Sequence, residues 1–419
     1  MMRIGFAKTN ITPPIGTELG GYAGYRPCAG VHDPLYCKAV LLEQDGVRYA
    51  LIALDLLCVD EALYLRLAKA LESLGVSRER LVACAIHSHA SPVGMVPGEG
   101  PLASVNRPGE PRDPGFRDYI HGVIQAAVSA CVQAEMALEP FQIRVARGAI
   151  PLVGSERHTG QTPQGEMTVI QCRTRSHKVL TVYNFPCHPT VLSAANLQVS
   201  ADFAAGIEGH LGGDMAVFIN GAAGDISTRF TRREATFSEC ERLGRLAADH
   251  IRATLATAEF RAPEHIRGIQ TRVSLRARQV GTPEAAAARL EEFTVRWKQA
   301  QAAGADAGTL RILRSYVEGA GLDLEFAQTM GDVRQFELPV TVFCFGGQTF
   351  ATIPGELFSS LQLPELAVIG YANGYYRYIS GVEAYDAGYY ESMGSILARG
   401  EGERLMARVG ELAAQLGDG

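Results

Sequence analysis

The sequence predicts an α/β fold, a single large domain of mixed sheets flanked by helices over residues 1–419. Three observations predict it. Short apolar runs of strand length alternate with longer segments of helical period. A balance of 47% hydrophobic and 20% charged residues is that of a globular chain able to bury a core. Clusters of histidine, glycine and carboxylate also stand directly after several apolar runs, and the C-terminal ends of strands are where α/β folds gather their chemistry.

Along the chain, Arg3-Ile4-Gly5-Phe6-Ala7 enters a strand at once, without the apolar stretch of a signal peptide. Runs at 39–42, 49–56 and 81–86 follow as strands, with an amphipathic helix at 61–74 crossing between the last two. Residues 93–115 are rich in proline and glycine, with nine of them from Pro97 and Gly98 to Pro114 and Gly115, a composition that predicts a long loop. A helix is expected at 116–135, strands at 179–184 and 215–220, and a second long helix at 237–256. Residues 283–319 are Ala-rich and of helical period, interrupted by Gly304 and Gly308, which predicts an inserted helical hairpin carrying the single tryptophan, Trp297. Covering a site, self-association into a homo-oligomer and plain insertion all remain open for it. Strands at 340–345 and 350–353 and a helix at 403–416 complete the pattern. No internal repeat is present, and no shift in composition divides the chain.

Composition excludes several classes of function. The net charge is −6 and no run of Lys or Arg is long enough to track a phosphate backbone, which argues against nucleic acid as a partner. No apolar stretch reaches the length of a membrane span. Nine cysteines, scattered from Cys28 to Cys344 without a CxxC pair, argue for a reducing, cytoplasmic setting and against a cysteine zinc knuckle or a disulfide framework.

Four clusters and a tyrosine-rich segment carry candidate chemistry. His87-Ser88-His89-Ala90-Ser91-Pro92 follows the strand ending at Ile86; in an extended segment His87 and His89, two apart, share one face. Phe185-Pro186-Cys187-His188-Pro189-Thr190 ends another strand in a histidine held by prolines. Asn220-Gly221-Ala222-Ala223-Gly224-Asp225-Ile226-Ser227 follows a third, with small residues that let the backbone turn tightly and a serine to act as nucleophile or anchor. Ile353-Pro354-Gly355-Glu356 reads as a strand end entering a helix, where a glutamate in the first turn is also favoured by the helix dipole alone. Last comes Tyr375-Tyr376-Arg377-Tyr378 through Tyr389, Tyr390 and Glu391, denser in tyrosine than a core requires. Hydrogen-bonded histidines or a plain turn account for each fragment singly. Together, two histidines and one glutamate form a zinc set that leaves a position open for water or a carbonyl.

The order of these motifs resembles the catalytic domain of the neutral/alkaline, non-lysosomal ceramidase family. The resemblance runs from Gly5-Phe6-Ala7-Lys8-Thr9-Asn10-Ile11-Thr12-Pro13-Pro14 and Gly20-Gly21-Tyr22-Ala23 to the tyrosine-rich segment, without the C-terminal immunoglobulin-like domain of secreted members. It implies a zinc-dependent hydrolase of amide bonds with His87, His188, Glu356 and Tyr378 as Zn²⁺ ligands. It further implies His89 near the scissile bond, Ser227 as the serine of the Gly-Asp-x-Ser element, Tyr390 stabilising the oxyanion and Arg157 facing substrate. The family follows its His-x-His with Ser-Gly-Pro and its serine with Pro-Asn, whereas this chain has Ala90-Ser91-Pro92 and Thr228-Arg229. Those neighbours shape the substrate pocket, so the expected partner is a smaller, soluble acyl amide, with an ester or lactone as the alternative, and without insertion in a membrane. A ligand-binding relative that does not catalyse is the remaining reading.

Overall fold

The computed structural model describes residues 2–100, 114–162 and 167–417. Much of the expected loop at 93–115, residues 101–113, lies outside them. Among the described residues the architecture is mixed α/β, with two large sheets flanked by helices.

The first sheet has eight strands in the order Met215–Asn220, Val179–Phe185, Met167–Thr174, Glu139–Gly148, Met2–Asn10, Tyr36–Gln44, Val47–Leu54 and Leu81–Ala85. Its two outermost pairs are parallel and the inner ones antiparallel. Among the described residues the two halves of the sheet pair as a ladder only at Arg3↔Pro140 and Ile4↔Glu139, so they form two four-stranded leaves joined at that corner. The outer edges meet again at Asn220, whose Nδ2 donates to Ile86 O (3.1 Å) and Cys187 O (3.0 Å), one residue beyond Leu81–Ala85 and two beyond Val179–Phe185. The second sheet runs Arg267–Arg276, Gln335–Phe345, Gln348–Thr352 and Leu366–Ile369.

Apolar runs read as strands because they are buried on both faces. In Tyr36–Gln44, Cys37, Ala39 and Leu41 face a core shared with the helices, while Val40 faces a second cluster with Val82, Val217, Ile219, Phe345, Phe350 and Ile369 that joins the two sheets. Helices obey capping and period. Asp60 accepts from Leu63 N at 2.7 Å at the start of Glu61–Leu71, and Leu63, Leu67 and Leu71 point inward. Thr236 caps Phe237–Leu255 through Glu239 N, with Leu243, Ala247, Ile251 and Leu255 buried.

The expected hairpin is present but differs in its bounds. Its helices are Pro283–Ala302 and Ala307–Thr329, turning at Gly304 in the left-handed region (φ +70°). Gly308 lies inside the second helix, because one glycine near a helix start costs only about 1 kcal/mol and does not end it. Strands Glu139–Gly148, Met167–Thr174, Arg267–Arg276 and Leu366–Ile369 and the helix Phe203–Leu211 were not evident from sequence. Several of these strands interleave Arg, Gln and Thr among their apolar residues, which blurs the period. Among the described residues no helix is long and apolar enough to cross a membrane.

Candidate metal centre

The candidate residues converge where the two parallel edges of the first sheet face the second sheet. His87 comes two residues after Leu81–Ala85. It is not extended, as expected from its spacing to His89; its φ is +69°, a left-handed turn that an ordinary side chain adopts only when its surroundings hold it there. Its backbone N–H donates to Leu56 O (3.0 Å) and its Nδ1–H to Leu57 O (2.7 Å), while its ring stacks on Tyr371 at 4.1 Å. With Nδ1 donating to a carbonyl, Nε2 is left as a lone pair.

His188 is built the same way from the other edge. Its Nδ1–H donates to Ala223 O (2.6 Å) and Ile226 O (3.1 Å), and its backbone bridges to Ser227. Burial, with the charge of Arg157 beside it, holds its imidazole down at about 4, so at neutral pH it is uncharged and its Nε2 is also a lone pair.

Glu356 comes from a short ladder of its own, just beyond the second sheet's strand Gln348–Thr352. The expected helix is not there: Glu356-Leu357 is a two-residue strand paired with Tyr378-Ile379, because the Glu356 N–H is taken by Arg377 O at 2.9 Å instead of opening a helical turn. Its Oε2 lies 2.9 Å from His188 Nε2 and 3.5 Å from His87 Nε2, and its Oε1 accepts from Tyr375 OH at 2.6 Å. Burial pushes this carboxyl up; positive charge on the His87 and His188 imidazoles would offset that and hold it well below the usual carboxylate range, and neutral imidazoles leave that task to another cation.

His89 lies with its Nε2 3.3 Å from His87 Nε2; His87, His89 and His188 place ligand atoms within 4.8 Å of one another, a group that could hold a metal ion. A Cβ at Gly21 would lie 2.4 Å from the His89 ring, and Tyr22 meets that ring edge-on at 4.7 Å. Desolvation, with His87 and His188 adjoining, lowers the His89 pKa well below its ordinary value.

The remaining predicted residues surround this group. Ser227 is buried in a short strand opposite Ser155, and its Oγ accepts from Arg229 N at 3.4 Å. Tyr378 shares the two-residue ladder with Glu356; its hydroxyl accepts from Arg157 at 3.5 Å, and burial raises its pKa well above the ordinary phenol value. Tyr390 meets the Tyr378 ring edge-on at 5.9 Å. Arg157 is partly buried and also donates to Gly224 O (3.2 Å) and Glu391 Oε1 (3.3 Å). Sequence reasoning missed Tyr371 beneath His87, Tyr375 on Glu356, and the pair His158 and Glu391 behind Arg157. The excess of tyrosine pointed to the segment and not to the position.

The donor set suits a cation. Two imidazole lone pairs and a carboxylate oxygen are three acceptors, with Glu356 Oε2 2.9 Å from His188 Nε2 and 3.5 Å from His87 Nε2 and no proton between them when both imidazoles are neutral. Acceptors so placed repel unless a positive charge stands among them, and two histidines with a carboxylate are a set that zinc takes.

Comparison with solved structures gives the fold its relatives. The crystal structure of neutral ceramidase from Pseudomonas aeruginosa superimposes with a TM-score of 0.76 at 16% identity, over 99% of this chain and 74% of that one. A ceramidase complexed with C2 does so at 0.73 and 16%, over 100% and 75%. The chain therefore has a neutral-ceramidase-like fold. No family model and no curated protein matches the sequence.

Proposed function

We propose that this chain is a zinc-dependent hydrolase that cleaves an amide (N-acyl) bond in a small, soluble substrate. The observation that carries the reading is the convergence of the His87 and His188 lone pairs on the Glu356 carboxylate. These three would hold Zn²⁺, with Tyr378 as a further oxygen donor. When bound, zinc supplies Lewis acidity and brings the pKa of water toward neutrality.

The protein's own groups have distinct tasks. Leu57, Ala223 and Ile226 carbonyls fix the imidazole tautomers, so both Nε2 lone pairs face inward. His89, uncharged and within reach of His87, accepts a proton from the attacking water and returns it to the departing amine. Tyr390 directs its hydroxyl dipole to the oxyanion. Ser227 attacks the acyl carbon or anchors a substrate hydroxyl. The Arg229 backbone N–H holds the Ser227 hydroxyl, and its guanidinium donates to the Arg157 carbonyl.

Elemental analysis of wild type beside His188→Ala and Glu356→Ala tests the centre. Zinc at one equivalent, absent from both variants, supports it; zinc indifferent to these residues overturns it. Matched acyl amides and esters then test the bond: turnover of amides supports the amidase, turnover of esters alone replaces it with an esterase, and zinc without turnover leaves a binding protein.

A further inference from the structure

Behind the candidate centre stands a buried carboxylate that the reaction does not use. Glu391, in the short helix Tyr390–Met393, has a side chain 3% exposed. One oxygen lies 3.3 Å from Arg157, and the other lies 3.0 Å from His158 Nε2. His158 is itself fixed, its ring stacked on Tyr389 at 3.6 Å and 4°. Its backbone N–H donates to Glu156.

We propose that Glu391 is a positioning residue, acting through Arg157 to hold the Tyr378 hydroxyl in place beside Glu356. Arg157 Nη1 has three acceptors around it: Gly224 O, Glu391 Oε1 and Tyr378 OH. A planar guanidinium bonded to a buried carboxylate is restrained from turning away, and its two Nη1 hydrogens, shared among the three acceptors, stay within reach of the phenol. Tyr378 is tied by backbone to Glu356 and its ring packs against Gly394 and Tyr390, which leaves the direction of the hydroxyl hydrogen bond to be set at the far end of the ring. Arg157 sets it there, and Glu391 with His158 fixes Arg157. A buried ion pair adds little net stability over an apolar pair of the same volume, whereas it defines orientation well. The helix bearing Glu391 is itself braced: a Cβ at Gly319 of the hairpin would lie 2.6 Å from Met393 Sδ.

This inference rests on the proposed zinc centre, so its test reads zinc affinity and folding separately. Zinc affinity is measured by competition with a chelator, beside thermal unfolding, for wild type, Glu391→Gln, Tyr378→Phe and the double variant Glu391→Gln with Tyr378→Phe. Glu391→Gln keeps the packing volume; the pair Arg157→Met with Glu391→Leu, which leaves no buried charge unpaired, is the second variant should the first not fold. The expected result is a loss of zinc affinity of roughly 10- to 100-fold in Glu391→Gln, as for other groups behind a ligand. In the Tyr378→Phe background Glu391→Gln adds nothing, since the group it acts on is gone. Wild type that binds no zinc through His188 and Glu356 overturns the centre and this inference together. Wild type that binds zinc, with Glu391→Gln binding equally well, overturns the inference alone. So does a loss that persists in the Tyr378→Phe background, or a lowered melting temperature with affinity unchanged.

Discussion

The candidate centre has two halves built on different principles. The imidazoles come from the first sheet, and their Nδ1 atoms are fixed by the backbone carbonyls of Leu57, Ala223 and Ile226. The carboxylate comes from the separate Glu356-Leu357 ladder beside the second sheet, and it is fixed by side chains: Tyr375 on Glu356, Arg157 on Tyr378, Glu391 on Arg157 and His158 on Glu391. A carbonyl cannot be deleted by substitution. The histidine half should therefore fail through changes that move the backbone, and the carboxylate half through single side-chain changes.

The largest effect expected is a pH dependence that differs in sign between the halves. Asp60 caps a helix three residues beyond Leu57, and burial pushes its carboxyl up to about 7 despite bonds from the Leu63 and Val96 N–H groups. A raised folded pKa means that its contribution is fully present below the ordinary Asp value and lost as pH rises through about 7. At 1.36 kcal/mol per unit this is on the order of 4 kcal/mol. Glu401, in the second-sheet half, behaves oppositely. Burial raises it, but the Arg276 N–H and guanidinium offset that and hold it below the ordinary Glu value, so its contribution is present above that value and lost as pH falls. Denaturant unfolding at pH 3 to 8 should show the alkaline slope flattened in Asp60→Asn and the acid slope flattened in Glu401→Gln. Like slopes in both variants would break the comparison.

Next is Asn220→Ala, which removes two donors and the acceptor of Cys187 N at the point where the sheet edges meet. Each buried group left unpaired costs about 1–3 kcal/mol, so a loss of roughly 3 kcal/mol or more in unfolding free energy is expected. Gly21→Ala should cost about 1–3 kcal/mol, because the new Cβ meets the His89 ring and φ is +87°. Its signature is displacement of the His89 resonances, by NMR, before any other imidazole. Smallest is Tyr375→Phe, expected to spare the melting temperature and weaken zinc binding by roughly 10-fold. An equal loss of stability would mean that the carboxylate half is held by its packing after all.

The same division explains what could be read from sequence. Apolar runs such as Leu81–Ala85 and Met215–Asn220, buried on both faces, announce themselves, and a histidine just past such a run is easily noticed. So the fold class and the histidines were legible. Glu356 was visible as a residue and misread as a helix start, because a two-residue ladder with Tyr378 has no periodicity to detect. Nothing local distinguishes Tyr375, which meets Glu356, from Tyr376, whose hydroxyl instead meets Glu61. That choice is made by contacts across more than 300 residues of chain. Likewise the approach of His87 to His89 depends on one left-handed residue, and spacing alone does not reveal it.

The separation of the two halves along the chain also sets an order of events during synthesis. His188 and Glu356 are 168 residues apart. At ribosomal speeds the imidazoles emerge roughly 10 to 30 s before the carboxylate. In that interval the nascent chain offers neutral nitrogens without an anion to match a divalent charge, a poor trap for any cation. On the proposed function, capture would wait for translation to bring Glu356, and a loaded centre would report that the two halves have come together.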